Sequence, residues 1–259
     1  MQTGRLRDSL APALGALRAA GARALDIVYP PVCLSCRRAT AGHGGLCPDC
    51  WGQMRFIERP YCERLGTPFD MDLGQPGLLS PQAMADPPVF ARARAAVRFD
   101  EGPARILIYR FKYYDRLEVA RSMALWMARA GAELLGEADA LAPMPLHWTR
   151  LASRRYNQAA VLAQALSRQM GLPVVARALD RVKATAPQVG LSRAQRAANL
   201  QGAFRTPEES RLAILDKAVV LVDDVLTSGA SANAAARALL RGGAKRVDVL
   251  TFARVVTGA

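Results

Sequence analysis

The residues of this 259-residue chain that could do chemistry fall in two short segments, and the first of them holds all five cysteines. Four of these form two CxxC pairs, Cys33 with Cys36 and Cys47 with Cys50. This spacing is typical of a zinc ribbon, in which each CxxC turn directs two thiolates at one ion. A redox-active dithiol is the alternative, but it would need only one pair. We therefore predict one structural zinc ion, with Cys62 as a leftover thiol.

The second segment reads VVLVDDVLTSGAS over residues 219–231. Its apolar start predicts a buried strand, and Asp223 and Asp224 follow at the carboxyl end, where open α/β sheets bind ligands. Vicinal carboxylates there suit a ribose diol and a magnesium-bound ligand. Hydroxyls and backbone amides then lead into a predicted helix and suit a phosphate: Thr227, Ser228, Gly229, Ala230 and Ser231. An ordinary strand followed by a serine-capped helix is the alternative interpretation.

A sheet must position the second segment. Strands are predicted at 89–99, 140–146, 172–177, 218–222 and 246–255, and they alternate with helices at 104–114, 117–135, 156–170 and 231–241. This alternation predicts a mostly parallel, doubly wound α/β sheet over residues 89–259. Ahead of it we expect an amphipathic helix (1–29), a zinc ribbon (30–66) and a linker rich in Gly, Pro, Asp and Ser (67–88). No internal repeat is evident.

The balance of charge indicates anionic partners. Lys and Arg number 35 against 22 Asp and Glu, a net charge of +13, which favours nucleic acid, phosphate esters or acidic lipid. Between positions 146 and 205, ten basic residues stand against one acid, Asp180. The hydrophobic fraction of 51% excludes a disordered chain. Because no run of 18 apolar residues occurs, no transmembrane helix is expected, and a metal-loaded cysteine site favours the reducing cytoplasm.

Residues 219–231 match, at every position, the phosphoribosyl-pyrophosphate loop of type I phosphoribosyltransferases. With the cysteine pairs, the chain resembles the ComF/GntX family, competence-associated proteins in which a zinc ribbon is fused to such a domain. The resemblance runs from about residue 27 to 254, and further matching stretches are Arg110-Phe-Lys-Tyr113, Pro143-Met-Pro-Leu-His-Trp148 and Arg154-Arg-Tyr-Asn-Gln158. The family often has a second CxxC where this chain reads Cys62-Glu-Arg-Leu65, so one zinc ion is expected.

The resemblance implies a type I phosphoribosyltransferase-like fold and roles for particular residues. Met144, Pro145 and Leu146 would form the loop that binds pyrophosphate. A loop over residues 181–199 would close over phosphoribosyl pyrophosphate and magnesium, with Lys183 joining Asp223 and Asp224 in the catalytic set. The chemistry would be loss of magnesium pyrophosphate from the anomeric carbon through an oxocarbenium-like state, for which the enzyme supplies electrostatics and position.

Three functions fit this resemblance. The first is a cytoplasmic protein that binds phosphoribosyl pyrophosphate, or another ribose 5-phosphate, together with single-stranded DNA during DNA uptake, with the uptake machinery as a partner. The DNA would contact basic residues of the charged stretch: Arg150, Arg154, Arg155, Arg193 and Arg196. The second is an active phosphoribosyltransferase that transfers phosphoribosyl to a nucleophile and releases pyrophosphate. The third is a sensor that binds phosphoribosyl pyrophosphate without turnover.

Overall fold

The computed structural model describes residues 26, 28–71, 74–75, 77–113, 117–147, 154, 156–183 and 199–256. The predicted N-terminal helix lies almost wholly outside these residues, as do four of the basic residues predicted to contact DNA: Arg150, Arg155, Arg193 and Arg196. The labels below number the helices and strands of the described residues in chain order.

The core of the fold is a parallel four-stranded sheet. The strands along the chain are β1 (Ala93–Arg98), β2 (Ala140–Pro143), β3 (Asp180–Arg181), β4 (Phe204–Arg205), β5 (Ala218–Leu226) and β6 (Arg246–Arg254). The sheet has the order β1-β6-β5-β2 with every pair parallel, while β3 and β4 form a separate antiparallel pair. The predicted parallel α/β sheet is confirmed.

Helices cover both faces of this sheet. They are α1 (Pro48–Gly52), α2 (Pro81–Ala85), α3 (Pro103–Tyr113), α4 (Glu118–Ala130), α5 (Ala132–Gly136), α6 (Gln158–Met170), α7 (Glu208–Ile214) and α8 (Ala230–Arg241). Side chains alternate along β5, so Val219 and Leu221 join the core beneath α8, whereas Val220 and Val222 join the core beneath α4 and α6. Burial on both faces explains why this strand is continuously apolar.

The strands predicted over 89–99 and 140–146 are shorter in the structure, at Ala93–Arg98 and Ala140–Pro143, and three further elements differ. The helix predicted over 117–135 breaks at Gly131, which has a non-helical backbone with φ of −104° and ψ of 18°. A Cβ at that position would lie 2.6 Å from the Leu250 side chain. The strand predicted over 172–177 is reduced to one parallel bridge between Val174 and Leu141. The strand predicted to end at 222 continues to Leu226 because its pairing with β6 continues, so both aspartates lie inside β5.

A tight turn, here called the first knuckle, spans residues 32–39. Val32 and Ala39 form an antiparallel bridge, and the Cys33 amide donates to the Arg38 carbonyl at 2.8 Å. Arg37 lies in the left-handed region with φ of 66°, which lets the chain reverse direction within these few residues. Helix α1 follows this turn, with Cys47 as its N-cap and Pro48 as its first residue.

A second knuckle at residues 61–68 repeats this geometry. Tyr61 and Pro68 form the antiparallel bridge, and the Cys62 amide donates to the Thr67 carbonyl at 2.8 Å. Gly66 takes the left-handed position with φ of 65°. Helix α2, whose N-cap is Ser80, follows it as α1 follows the first knuckle. The chain therefore contains an internal repeat that the sequence did not reveal. The segment predicted to be a linker (67–88) holds the end of the second knuckle and the helix α2 that follows it.

Both knuckles are fixed to the sheet domain by arginine side chains. The Arg110 guanidinium on α3 donates to the Leu34 carbonyl in the first knuckle at 2.6 Å. Buried Arg94 on β1 is paired with Glu63 of the second knuckle at 2.6 Å and with Glu133 on α5. These contacts hold the N-terminal module against the sheet. Within the described part of the chain, every helix is too short or too polar to cross a membrane.

Candidate functional site

Asp223 and Asp224 lie near the carboxyl end of β5, on opposite faces of the sheet. The Asp224 carboxylate is buried and lies 2.7 Å from the Lys112 Nζ on α3. The Asp224 amide donates to Oδ1 of Asp223 at 2.9 Å. Burial and the neighbouring Asp224 charge raise the pKa of Asp223 to about 7, although Lys112 and Arg181 partly oppose this shift. Asp223 therefore exchanges a proton near neutral pH.

The loop after β5 presents backbone groups at the start of a long helix. Gly229 is the N-cap of α8 and has φ of 78°, a conformation that glycine adopts without strain. Because α8 is 12 residues long, the partial positive charge at its N-terminus favours an anion there. Thr227 and Ser228 precede Gly229, and Ala230 and Ser231 are the first helical residues. The residues predicted to bind phosphate thus form the turn into α8 and its first two positions.

The predicted pyrophosphate loop lies at the same edge of the sheet. Met144 follows β2 directly, and its amide donates to the Val222 carbonyl of β5 at 2.9 Å. Asn157, the N-cap of α6, holds the Met144 carbonyl through its side-chain amide at 3.0 Å. Pro145 and Leu146 continue this turn and are partly exposed. The structure therefore brings Met144, Pro145 and Leu146 beside the strand that carries the two aspartates.

The four cysteines of the first knuckle and α1 converge on one point, with all four sulfur atoms within 4.8 Å of one another. Burial alone would raise the pKa of Cys33, but amide donors, among them those of Cys36 and Cys47, lower it to about 6. Burial and the adjacent sulfurs raise the pKa of Cys50 to about 12. A divalent cation would let all four ionise together, so this donor set fits zinc, as predicted. His43 contacts Asp26 at 2.8 Å instead.

Comparisons with known proteins agree with both halves of this arrangement. Residues 24–82 match the model of the double zinc ribbon domain, and residues 157–258 match that of the phosphoribosyl transferase domain. Competence protein F of Haemophilus influenzae is 31% identical over 228 residues, which cover 86% of this chain and 96% of that protein. The chain belongs to the competence protein F (ComF) family. The DNA utilization protein YhgH of Salmonella typhi is 31% identical over 238 residues, covering 89% of this chain and all of that protein.

Two solved structures overlap with part of the chain. Glutamine phosphoribosylpyrophosphate amidotransferase from B. subtilis, complexed with ADP and GMP, overlaps with a TM-score of 0.34 and 20% identity. The overlap covers 54% of this ComF-family chain and 30% of that chain. A structure of the allosteric regulatory enzyme of purine biosynthesis overlaps with a TM-score of 0.36 and 19% identity, over 55% and 29% of the two chains. Overlaps of this extent do not bear on function.

A double zinc ribbon implies a second metal site, which the second knuckle does not provide. The positions that correspond to the four zinc ligands hold Cys62, Leu65, Ser80 and Ala83. The side chains of Leu65 and Ala83 have no donor atom and are buried in the hydrophobic core. The Cys62 sulfur accepts amide hydrogen bonds from Leu65 at 3.4 Å and from Ser80 at 3.2 Å. In this ComF-family chain, one half of the repeat fits zinc and the other does not.

Lys183, predicted to be catalytic, follows β3 and is exposed. Within the part of the chain that the structure describes, it has no ion pair with either aspartate. Two other cations act on the acid pair instead, Lys112 through its ion pair and Arg181 through its charge. Neither Lys112 nor Arg181 was predicted from the sequence to act on the two aspartates. The available signal for Lys112 was its place in the family-like segment Arg110-Phe-Lys-Tyr113.

Arg154 belongs to the predicted DNA-contacting set and is described by the structure. Its guanidinium carbon lies 5.7 Å from the centre of the Tyr113 ring. Tyr113 is more than half exposed and lies beside Tyr109 on α3, with 4.7 Å between the ring centres. The two exposed rings therefore lie on the helix that also carries Lys112 to Asp224, and the Arg154 guanidinium, from a different segment, lies over the Tyr113 ring.

Proposed function

We propose that this protein binds the ribose phosphate part of phosphoribosyl pyrophosphate, with magnesium, and handles single-stranded DNA during DNA uptake. The proposal rests on one observation above all: the acid pair of β5 and the glycine-containing loop into α8 share the carboxyl edge of a parallel sheet. The names of its relatives, competence protein F and DNA utilization protein, support the DNA part.

Each group at this edge has a distinct task in the proposal. The amides and hydroxyls of residues 227–231 would bind the 5-phosphate, and the aspartates would accept hydrogen bonds from the ribose hydroxyls or bind magnesium. Lys112 holds the Asp224 carboxylate in place through its ion pair, while Asp223 would give up its proton as the cation binds. The turn at 144–146 would bind the diphosphate.

Calorimetric titration with magnesium and phosphoribosyl pyrophosphate tests the small-ligand part. The double variant Asp223→Asn, Asp224→Asn should weaken binding by more than about tenfold, because each charge-assisted contact contributes roughly 1.5–3 kcal/mol. The control is Glu208→Gln with Glu209→Gln, which neutralises two adjacent acids that are exposed and lie on α7, before the amino end of β5. Equal affinity of the wild type and the aspartate variant would contradict the proposal.

The DNA part draws on the charge of the chain and on the two tyrosines of α3. Proteins that bind single strands combine cations with rings on which bases stack. Tyr109 and Tyr113 are each more than half exposed, and Arg154 lies over the second ring. Because the same helix carries Lys112, a bound strand would lie close to the phosphate site, so the two ligands should influence each other's affinity.

Fluorescence anisotropy of a labelled single strand, measured across a salt series, tests this part. Tyr109→Ala with Tyr113→Ala should weaken binding at least about tenfold, since stacking contributes roughly 1–3 kcal/mol per base. Arg211→Ala removes one exposed charge from α7 and should leave affinity nearly unchanged. Absence of binding by the wild type at low salt would contradict the DNA part without touching the small-ligand part.

Catalysis is a second candidate function. A carboxyl group whose pKa is about 7 matches what a general base needs near neutral pH, and Asp223 has this property at the candidate site. Release of pyrophosphate that is lost in Asp223→Asn would support a working transferase. Binding of phosphoribosyl pyrophosphate without its consumption would support a sensor instead.

A further inference from the structure

Among the residues that the structure describes, Arg254 is a buried cation that has no carboxylate partner. It is the last residue of β6, in register with Leu226, and only 6% of it is exposed. One guanidinium nitrogen donates to the Leu65 carbonyl at 2.6 Å, and its Nε is buried without a hydrogen-bond partner. No carboxylate of the described residues lies within ion-pair distance. Burial lowers the pKa of Arg254 to about 10, although the negative charge of an ionised Cys62 opposes this shift.

Arg94 is a second buried arginine, and its charged partners can be compared with those of Arg254. It is 2% exposed, and it is paired with the carboxylates of Glu63 and Glu133. A buried charge that lacks such a partner is strongly unfavourable, unless a ligand brings the opposite charge. Both guanidinium groups have an unpartnered Nε, so they differ in their carboxylates, and this difference leaves Arg254 able to take an anion from a ligand.

A cleft of about 280 Å³ gives such an anion room beside Arg254. One wall is the second knuckle, with Leu65 and Thr67, and the other is the phosphate loop, with Ser228 and Gly229. Asp86 is the acidic residue of the lining. The Ser228 hydroxyl is also buried without a hydrogen-bond partner. Two unsatisfied donors, one of them charged, thus lie around one cleft beside the N-cap of a 12-residue helix.

We propose that this cleft binds a phosphate group and that Arg254 is the side chain that neutralises it. The second knuckle positions the guanidinium through the Leu65 carbonyl. A zinc site in this knuckle would compete with such a ligand, because four thiolates around a zinc ion would carry a net charge of about −2 beside Arg254. With Leu65, Ser80 and Ala83 in place of cysteines, that competing charge is gone and the guanidinium is left for a ligand.

The phosphate could be free or carried on ribose, and only the second case rests on the function proposed above. Calorimetry with inorganic phosphate and with ribose 5-phosphate, on the full chain with zinc, separates the two sources. For whichever of the two probes the wild type binds, Arg254→Met should weaken the affinity at least about tenfold, since the variant lacks a charge-assisted contact. Failure of the wild type to bind either probe would overturn the proposal.

Thermal unfolding without ligand shows whether Arg254 instead stabilises the folded protein. Arg254→Met removes an unpaired charge and one neutral hydrogen bond, so it should shift Tm by less than about 4 °C. The control Arg94→Met strands two carboxylates and should lower Tm much further. A loss for Arg254→Met as large as that for Arg94→Met would overturn the proposal, because it would show that Arg254 already has a structural partner such as Cys62.

The two proposals fail separately. If Arg254→Met binds phosphoribosyl pyrophosphate and both probes as the wild type does, the role of Arg254 is refuted and the function of the acid pair stands. If the wild type binds inorganic phosphate through Arg254 but does not bind phosphoribosyl pyrophosphate, the cleft stands and the function proposed above does not.

Discussion

Asp223 should make the protein less stable as pH rises from 5 to 8. Its carboxyl group has a pKa of about 7 in the folded chain, raised from an ordinary value of 3.8 by burial and by Asp224. Between these two values the unfolded chain has lost the proton and the folded chain retains it. The unfolded state therefore binds fewer protons, so the free energy of unfolding falls as pH rises through this window and levels off above pH 7.

The size of the effect follows from the width of the window. Each pH unit in which the folded carboxyl remains protonated lowers the free energy of unfolding by about 1.4 kcal/mol. From pH 5 to 8 a folded pKa of about 7 gives a loss of roughly 2–3 kcal/mol. Asp223→Asn keeps the oxygen that accepts the Asp224 amide and removes the titration. Relative to the wild type, this variant should gain that amount across the same range.

Urea denaturation of the wild type and Asp223→Asn at pH 5, 6, 7 and 8 measures this directly, since taking the difference cancels groups that titrate alike in both. Two further variants test whether the neighbouring charges set the pKa of Asp223. Asp224→Asn removes the neighbouring negative charge and should move the loss to lower pH, whereas Lys112→Met removes the opposing positive charge and should move it to higher pH. A stability difference that stays constant from pH 5 to 8 would refute the reasoning.

The remaining predictions concern the two knuckles. Elemental analysis should find one zinc ion per chain and none after Cys33→Ser with Cys36→Ser; two ions would contradict the metal-free second knuckle. Gly66→Ala should lower the free energy of unfolding by at least about 2 kcal/mol, since φ is positive there and the new Cβ would collide with the Ala93 carbonyl. Arg37→Gly, at the corresponding left-handed position, should cause no loss in the same urea titration.

Much of the site was predictable because its determinants are local. Each zinc ligand has its nearest partner three residues away, and that spacing survives any arrangement of the rest of the chain. The phosphate loop is likewise contained in residues 219–231, and the alternation of strands and helices indicates a parallel sheet. The second knuckle escaped detection because its repeat is conformational. Cys62 is the one ligand residue that it shares with the first, while Gly66 stands where the first has Arg37.

Tertiary structure decided which charges meet. Lys112 reaches Asp224 only because α3 packs beside the carboxyl end of β5, and no spacing along the chain encodes that contact. Arg254 and Leu65, whose carbonyl accepts its hydrogen bond, are 189 positions apart. In the sequence, nothing distinguishes Arg254 from the other basic residues. The sequence alone thus determined the two binding motifs and the fold class, because these depend on neighbours along the chain. Which cation is paired and which is left for a ligand depends on desolvation and on distances between remote segments, and those exist only in the folded protein.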